Sequence, residues 1–138
     1  MSVNDDTLVV IPAWNEAATV ASVVSSVRAA GFDVLVVNDG SGDGTSALAA
    51  NAGAVVVDLP FNMGVGAALR CGFKYAVRKG YSTIVQCDAD GQHPVEHITT
   101  LIKAADDTGA HMVIGSRFTS DAGSSMVLHP VRRLAMWT

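Results

Sequence analysis

Strand-like and helix-like stretches alternate five times along this chain, with short links between them and no internal repeat. The strand-like stretches are short runs of Val, Leu and Ile, whereas the helix-like ones repeat apolar residues every three or four positions. This alternation predicts an α/β domain whose central sheet is parallel or mostly parallel, with helices on both faces. An apolar content of 49% against 16% charged residues fits strands buried on both sides.

The boundaries of these elements follow from glycine, proline and the apolar spacing. We expect strands over residues 7–12, 33–38, 54–59, 82–87 and 111–114. Helices are predicted after residue 15, over residues 46–52, from about 67 to 79, and from Pro94 onward. The inner face of the last helix is predicted to be formed by Ile98, Leu101, Ile102 and Ala105. Residues 130–138 are expected to open a further helix.

In a parallel α/β sheet, ligands bind outside the carboxyl ends of the strands. The loops at those ends are predicted to span residues 12–16, 39–45, 60–66, 88–94 and 115–118. Every unusual cluster of polar residues in the sequence falls within one of these loops. That coincidence is the strongest sign of a binding site that the residues themselves provide.

Two aspartates, Asp88 and Asp90, directly follow the fourth predicted strand. A rigid strand end would hold both carboxylates at the carboxyl edge of the sheet, and hard oxygen ligands of this kind suit Mg²⁺ or Mn²⁺. The alternative is an ordinary turn, because Asp followed by Gly91 is common in turns. The spacing alone leaves both interpretations open.

Two further loops carry polar groups of uncertain purpose. Asn15 could cap the first helix, with Glu16 favoured by the helix dipole, or both could join Trp14 in contacting a ligand. Asp39 could accept a hydrogen bond from a nucleobase, whereas Asp43 is expected to serve the turn. The glycines of residues 40–44 match neither the dinucleotide fingerprint nor a P-loop. Asn62, Gly64 and Gly66 permit close approach of a ligand or of a neighbouring loop.

Charge excludes some classes of function. A net charge of −4 argues against general nucleic-acid binding. After Gly115 the balance reverses locally, and Arg117, Arg132 and Arg133 would favour phosphates or an anionic membrane surface. No stretch approaches the roughly 20 apolar residues needed to span a bilayer.

The histidines and cysteines do not predict a zinc site. His93 and His97 are four residues apart, but Pro94 lies between them and no Glu follows His93. His111 and His129 add no such spacing. The two cysteines, in a chain without a secretory signal, are expected to be reduced cytosolic thiols, with Cys87 buried in a strand.

Five motifs in order resemble the family 2 glycosyltransferases of the GT-A fold. They are Ile-Pro-Ala-Trp-Asn-Glu (11–16), Val-Asn-Asp-Gly-Ser-Gly-Asp-Gly-Thr (37–45), Asn-Met-Gly-Val-Gly-Ala-Ala-Leu (62–69), Asp-Ala-Asp-Gly-Gln-His-Pro (88–94) and Gly-Ser-Arg-Phe (115–118). The branch that the chain resembles most is the polyprenyl-phosphate branch, which includes dolichyl-phosphate mannose synthase. The resemblance covers almost the whole chain, and the ordered set is specific although each motif alone is weak.

The resemblance implies a role for particular residues. The nucleotide sugar would be bound by Pro12, Trp14, Glu16, Asn38, Asp39, Asp88, Ala89, Asp90, Gln92 and Arg117. Among these residues, Asp39 would bind the base, and Mg²⁺ or Mn²⁺ would be held by Asp88, Asp90 and Gln92. Asp90 and Arg117 are the expected catalytic residues, and Arg132 and Arg133 would lie near a lipid-phosphate acceptor.

The implied reaction is an inverting transfer of a hexose from a GDP-mannose or UDP-glucose type of donor, with a polyprenyl phosphate as acceptor. A lipid monophosphate is largely ionised near neutral pH, because its second pKa is about 6, and it needs no carboxylate base. Asp121 is the only acidic residue after position 118, which favours such an acceptor. Contact with the cytoplasmic face of a membrane and a homodimer are further expectations.

Family members run longer than this chain, so residues 1–118 are expected to form the donor-binding core and residues 119–138 the start of an incomplete acceptor-side region. One alternative is a non-catalytic nucleotide-sugar binding module that needs a partner for the acceptor side. Another is a sugar-phosphate nucleotidyltransferase. That class would need a glycine-rich loop bearing Lys or Arg after the first strand, and residues 12–16 do not form one.

Overall fold

A computed structural model describes residues 4–91, 95–115 and 133–137, the last segment by its backbone alone. In chain order the elements are β1 (Thr7–Ala13), α1 (Val20–Ala29), β2 (Asp33–Asn38), α2 (Thr45–Asn51), β3 (Val55–Asp58), α3 (Val65–Lys79), β4 (Thr83–Gln86), α4 (Val95–Thr108), β5 (Met112–Gly115) and β6 (Arg133–Trp137). The strands form one sheet in the order β3-β2-β1-β4-β6-β5, and every neighbouring pair is parallel.

Helices pack on both faces of this sheet, as the alternation of the sequence predicts. Because side chains alternate across a strand, Val9 and Ile11 of β1 face one layer while Leu8 and Val10 face the other. The first layer is formed by α1, α2 and α4 and the second by α3. The predicted inner face of α4 is confirmed, since all four of its apolar residues are buried.

On the second face, α3 lies close to the sheet at Gly72. A Cβ atom at Gly72 would be 2.5 Å from Cγ1 of Val10, a residue with no exposed surface. The missing side chain therefore allows the helix to approach β1.

Two local predictions are wrong. Asn15 is not the N-cap of α1, because the helix begins at Val20 and its N-cap position is Thr19. Asn15 instead adopts a left-handed backbone conformation with φ of 51°. Its side-chain oxygen accepts a hydrogen bond from the Gly42 N–H at 2.9 Å, so the side chain serves a neighbouring loop and not the helix.

The helix expected over residues 130–138 is also wrong in the part that the structure describes, since Arg133–Trp137 forms strand β6. Leu134 is in register with Ile84 of β4 and with Met112 of β5. Leu, Ala and Met favour a helix in isolation. A strand placed between two others pairs its backbone on both sides, and this tertiary context overrides the local propensity.

Candidate functional site

A cleft of about 340 Å³ opens at the carboxyl edge of the sheet, beyond the ends of β1, β2 and β4. It is lined by Pro12, Ala13, Trp14, Glu16, Asp39, Asn62, Gly64, Val65, Asp88, Ala89 and Asp90. Seven of these residues belong to the predicted nucleotide-sugar site. The fold thus brings residues of four of the five motifs, up to 78 positions apart in the chain from Pro12 to Asp90, to one opening.

Asp39 connects the base of the cleft to the loop over residues 60–64. Its side chain is buried, with 5% of the residue exposed. Oδ1 accepts a hydrogen bond from the Met63 N–H at 2.7 Å, and Oδ2 accepts one from the Gly64 N–H at 3.0 Å. Each carboxylate oxygen has a second lone pair. Asp39 can therefore hold this loop and still accept a hydrogen bond from a ligand in the cleft.

The same two loops touch at Gly40. This residue has a φ of 73°, and a Cβ atom there would lie 2.4 Å from the carbonyl carbon of Phe61. Both the backbone conformation and the lack of space require glycine. The position of Asn62 and Gly64 along the cleft thus depends on a close backbone contact as well as on Asp39.

A second set of hydrogen bonds joins the loop after β1 to the loop after β2. The Asn15 N–H donates to Oγ of Ser41 at 2.9 Å, and the Glu16 N–H donates to Oγ1 of Thr45 at 3.0 Å. The Ala17 N–H donates to Oδ2 of Asp43 at 3.3 Å. These bonds use backbone donors ahead of α1 that the helix itself cannot satisfy. They hold Trp14 and Glu16 beside Asp39.

The predicted turn role of Asp43 is confirmed. Its Oδ1 accepts hydrogen bonds from the backbone N–H of Thr45, at 3.0 Å, and from the hydroxyl of Thr45. The Thr45 hydroxyl, with smaller contributions from the backbone N–H groups, holds the pKa of Asp43 below its ordinary value because it stabilises the ionised form.

Asn38 is not among the residues that line the cleft. Its side-chain amide donates to Oδ1 of Asp58 at 2.8 Å, and its Oδ1 accepts from the Ser41 N–H at 3.2 Å. The bond from Asn38, followed by one from Ser46, holds the pKa of Asp58 below its ordinary value. In this structure Asn38 therefore links β2 to β3 and to the following loop.

Asp88 and Asp90 line the cleft on either side of Ala89, which is buried. The carbonyl oxygen of Ala89 accepts a hydrogen bond from Oγ1 of Thr19 at 2.5 Å. This contact ties the acidic loop to the start of α1. It fixes the backbone between the two carboxylates that the sequence proposes as metal ligands.

The donor set at this edge fits Mg²⁺ or Mn²⁺. Asp88 and Asp90 offer two hard carboxylate ligands on one cleft. Within residues 4–91, 95–115 and 133–137, no group of three or more His, Cys, Asp or Glu side chains could hold a metal ion. With two carboxylate ligands, the ion would keep coordination positions for water and for phosphate oxygens. Mg²⁺ usually binds beside a nucleotide in this way. Gln92, the third proposed ligand, lies outside the described residues.

Cys87 precedes the acidic loop and is buried, as expected. Burial raises the pKa of the Cys87 thiol to about 12, and the negative charges of Asp88 and Asp90 contribute. At neutral pH this thiol is therefore protonated, and a buried, protonated thiol is a poor nucleophile.

Three arginines are also predicted site residues. Arg117 and Arg132 lie outside the described residues, so their roles stay predictions. The backbone of Arg133 is in register with Thr83, the first residue of β4, at the amino edge of the sheet. The aspartates follow the carboxyl end of that strand, at the opposite edge.

Five residues of this region were not predicted as site residues. Ala13, Asn62, Gly64 and Val65 line the cleft, and the glycine-rich run around the last three was the available signal. Thr19 gave no signal in the sequence, because its partner is 70 residues away.

Comparison with known proteins agrees with this geometry. The model of the family described as Glycosyl transferase family 2 matches residues 8–130, which include every motif discussed above. The chain belongs to glycosyl transferase family 2.

Among the described residues of this family 2 chain, no helix is both long enough and apolar enough to cross a bilayer.

The names of two relatives of this family 2 chain refer to polyprenyl lipids. Polyprenol monophosphomannose synthase of Mycolicibacterium smegmatis is 40% identical, and the match covers 94% of this chain and 51% of that protein. Undecaprenyl-phosphate mannosyltransferase of Micrococcus luteus is 35% identical, with coverage of 94% and 55%. The chain spans about half the length of these relatives.

Solved structures show the same fold. Glucosyl-3-phosphoglycerate synthase of Mycobacterium tuberculosis, in complex with Mn²⁺, UDP-glucose and phosphoglyceric acid, superposes with a TM-score of 0.67 at 27% identity. That match covers 88% of this chain and 48% of the other. The fold is therefore the GT-A type that the motifs suggest.

Proposed function

We propose that this family 2 chain transfers a hexose, with inversion, from a nucleoside diphosphate sugar to a polyprenyl phosphate. The observation that carries the proposal is the cleft, where Trp14, Asp39, Asp88 and Asp90 line one opening at the carboxyl edge of the sheet. Two named relatives that act on polyprenyl lipids support the acceptor class. A solved relative that contains UDP-glucose and Mn²⁺ supports the donor class.

The lining of the cleft suits the two parts of such a donor. Trp14 is 54% exposed, so its ring is accessible for stacking against a nucleobase. Asp39 would accept a hydrogen bond from a base N–H while keeping its backbone partners Met63 and Gly64. The base would lie between these two side chains. The diphosphate would then extend toward Asp88 and Asp90.

The acidic loop would hold a divalent cation. Asp88 and Asp90, with Gln92 as a third proposed ligand, would supply oxygen donors, and the bond from Thr19 to Ala89 would keep the loop in place. When bound, the cation would neutralise charge that develops on the departing nucleoside diphosphate. Arg117 is the proposed second source of positive charge for that leaving group.

The acceptor would attack the anomeric carbon from the face opposite the leaving group, which inverts the configuration at that carbon. A phosphate monoester needs no general base, because it is largely ionised near neutral pH. Of the four carboxylates that line the cleft, Asp39 accepts two backbone N–H groups, Glu16 is a proposed nucleotide contact, and Asp88 and Asp90 are proposed metal ligands. Arg132 remains a proposed contact of the acceptor phosphate, whereas the backbone of Arg133 lies at the edge of the sheet opposite the cleft.

The first test is calorimetric titration with UDP and with GDP, each with and without Mn²⁺. We expect micromolar binding of one nucleotide that depends on Mn²⁺ and is lost in Asp90→Ala. Asp107→Ala is the matched control, because Asp107 is exposed on α4 and does not line the cleft. Absence of binding to both nucleotides would overturn the proposal.

Transfer is tested separately, by mixing the chain with the nucleotide sugar and a short polyprenyl phosphate and measuring the glycolipid formed. Product with inverted configuration is the expected result. Nucleotide binding without product would instead assign the chain as a nucleotide-sugar binding module.

A further inference from the structure

A second concave surface lies on the α3 side of the sheet, away from the layer formed by α1, α2 and α4. It is a groove of about 510 Å³ between α3 and the edge strand β3. Its apolar lining consists of Val57, Leu59, Met63, Ala67, Cys71 and Tyr75. The proposed reaction does not use any of these residues. We call this surface the α3 groove.

One side of the α3 groove carries a row of positive charges. Arg70, Lys74 and Arg78 all line it, and their spacing of four residues places them on one face of the helix. Four of the nine Lys and Arg residues of the chain lie in α3, which contains no acidic residue. This concentration is notable in a chain whose net charge is −4.

These three cations are exposed, and none of them forms an ion pair with a carboxylate within residues 4–91 and 95–115. Like charges four residues apart on a helix repel one another and disfavour it slightly. The row therefore costs some stability in the isolated chain. An anionic partner would remove that repulsion.

Exposed apolar side chains continue the groove toward the donor cleft. Phe61 is 63% exposed, Met63 48% and Val65 60%, all in the segment that leads into α3. Met63 lines the α3 groove and Val65 lines the cleft, so this segment forms the wall between the two. Asp39 and Gly40 hold its backbone in place.

We propose that the α3 groove and the 61–65 segment dock this chain on the surface of an anionic lipid bilayer. Exposed apolar side chains beside a basic helical face are the combination that binds at a lipid headgroup layer. Long Arg and Lys side chains can keep their charges among the headgroups while their stems cover apolar surface. The inference rests on the proposed function, because docking here would bring the neighbouring donor cleft to a lipid-linked acceptor.

A second copy of the chain suits this surface less well. In a twofold contact the same patch meets itself, so Arg70, Lys74 and Arg78 would face the same three cations of the partner copy. An anionic bilayer has no such repulsion.

The test is flotation of the 138-residue chain with vesicles of phosphatidylcholine alone and of phosphatidylcholine mixed with phosphatidylglycerol. We expect binding to the anionic vesicles only, and progressive release as salt screens the charges. Replacing Arg70, Lys74 and Arg78 by Gln is expected to lower the partition coefficient about fivefold for each cation removed. Phe61→Ser with Met63→Ser is expected to lower it by a factor of at least about ten.

Lys103→Gln is the matched control, because this exposed lysine lies on α4, on the other face of the sheet. It should leave vesicle binding unchanged. Equal binding to neutral vesicles, equal loss in Lys103→Gln, or no vesicle binding at all would overturn the inference. A further contrary outcome would be a dimer in sedimentation experiments. It would overturn the inference if the variants at Arg70, Lys74 and Arg78 dissociated that dimer and the parent chain bound no vesicles.

Nucleotide titration of the same variants separates this inference from the proposed function. The variants at Arg70, Lys74 and Arg78 are expected to bind UDP or GDP with unchanged affinity. Retained nucleotide binding without vesicle binding would overturn the docking surface alone. Vesicle binding without nucleotide binding would overturn the proposed function alone.

Discussion

Oγ1 of Thr19 lies 2.5 Å from the carbonyl oxygen of Ala89 and joins the start of α1 to the loop that follows β4. Ala89 is buried and separates Asp88 from Asp90. The Thr19 hydroxyl thus helps to hold the backbone between the two carboxylates of the proposed metal site. Thr19 does not line the cleft itself, so we regard it as a positioning residue.

Thr19→Val keeps the shape of the side chain and removes its hydroxyl. We expect the Mn²⁺-dependent affinity for the nucleotide to fall about tenfold, as for other residues that orient metal ligands. Affinity measured without Mn²⁺ should not change. Calorimetric titrations with and without Mn²⁺ measure both values. Thr19→Ser retains the hydroxyl and should behave as the parent chain, so an equal loss in both variants would contradict the positioning role.

Asp39→Asn is expected to lower the free energy of unfolding by about 1–3 kcal/mol. The carboxylate accepts the N–H groups of Met63 and Gly64 on its two oxygens, whereas an amide would place an NH₂ group against one of these donors. Urea unfolding measures the change. Asp107→Asn, at an exposed position of α4, is the control and should stay within about 0.5 kcal/mol of the parent chain. Equal stability of Asp39→Asn and the parent would show that these bonds are dispensable.

Gly72→Ala is expected to destabilise the chain by about 1–3 kcal/mol, because the added methyl group would collide with buried Val10. Gly66→Ala is the matched control in the same helix. No atom lies within 4 Å of a Cβ at that position, and alanine favours a helix by about 0.5–1 kcal/mol over glycine. The thermal unfolding temperature should therefore fall in Gly72→Ala and rise in Gly66→Ala. A shift of the same sign and size in both variants would contradict the close approach of α3 to β1.

The pKa of Asp43 predicts how stability depends on pH at the acid end. The folded-state pKa lies below the ordinary value of 3.8, chiefly because of the Thr45 hydroxyl. A depressed carboxyl pKa contributes stability that is complete above the unfolded-state value and is lost as pH falls through the folded-state value. Asp43→Asn should therefore flatten the fall in unfolding free energy below pH 3.8.

Urea unfolding at a series of pH values measures that slope. Asp107→Asn, which removes an exposed carboxyl without such partners, serves as the control. A slope in Asp43→Asn as steep as in the parent chain would mean that the contacts of Asp43 do not contribute at acid pH.

Much of the fold was predictable because its signals are local. Apolar periodicity, proline and glycine placed β2 at its observed bounds and located the buried face of α4, since each depends on residues within a few positions. The loops of the site were predictable for a related reason. In a parallel sheet all strands end at the same edge, so polar residues that follow strands β1, β2 and β4 must come close to one another.

Partners that are distant in the sequence were not predictable. The capping role expected for Asn15 failed because its side chain binds the Gly42 N–H, 27 residues away. The helix expected over residues 130–138 failed because β6 pairs with β4 and β5. The bond between Thr19 and Ala89 has no signature along the chain at all.

The sequence by itself therefore determined the α/β alternation, the edge where ligands would bind and the chemical types gathered there. The tertiary structure decided which backbone groups Asp39 holds, what fixes the loop between Asp88 and Asp90, and that Arg70, Lys74 and Arg78 border an apolar groove. The physical reason is the separation along the chain over which each kind of interaction acts. Propensity and periodicity act between neighbours in the chain, whereas hydrogen bonds and packing act between neighbours in space, which only the folded chain defines.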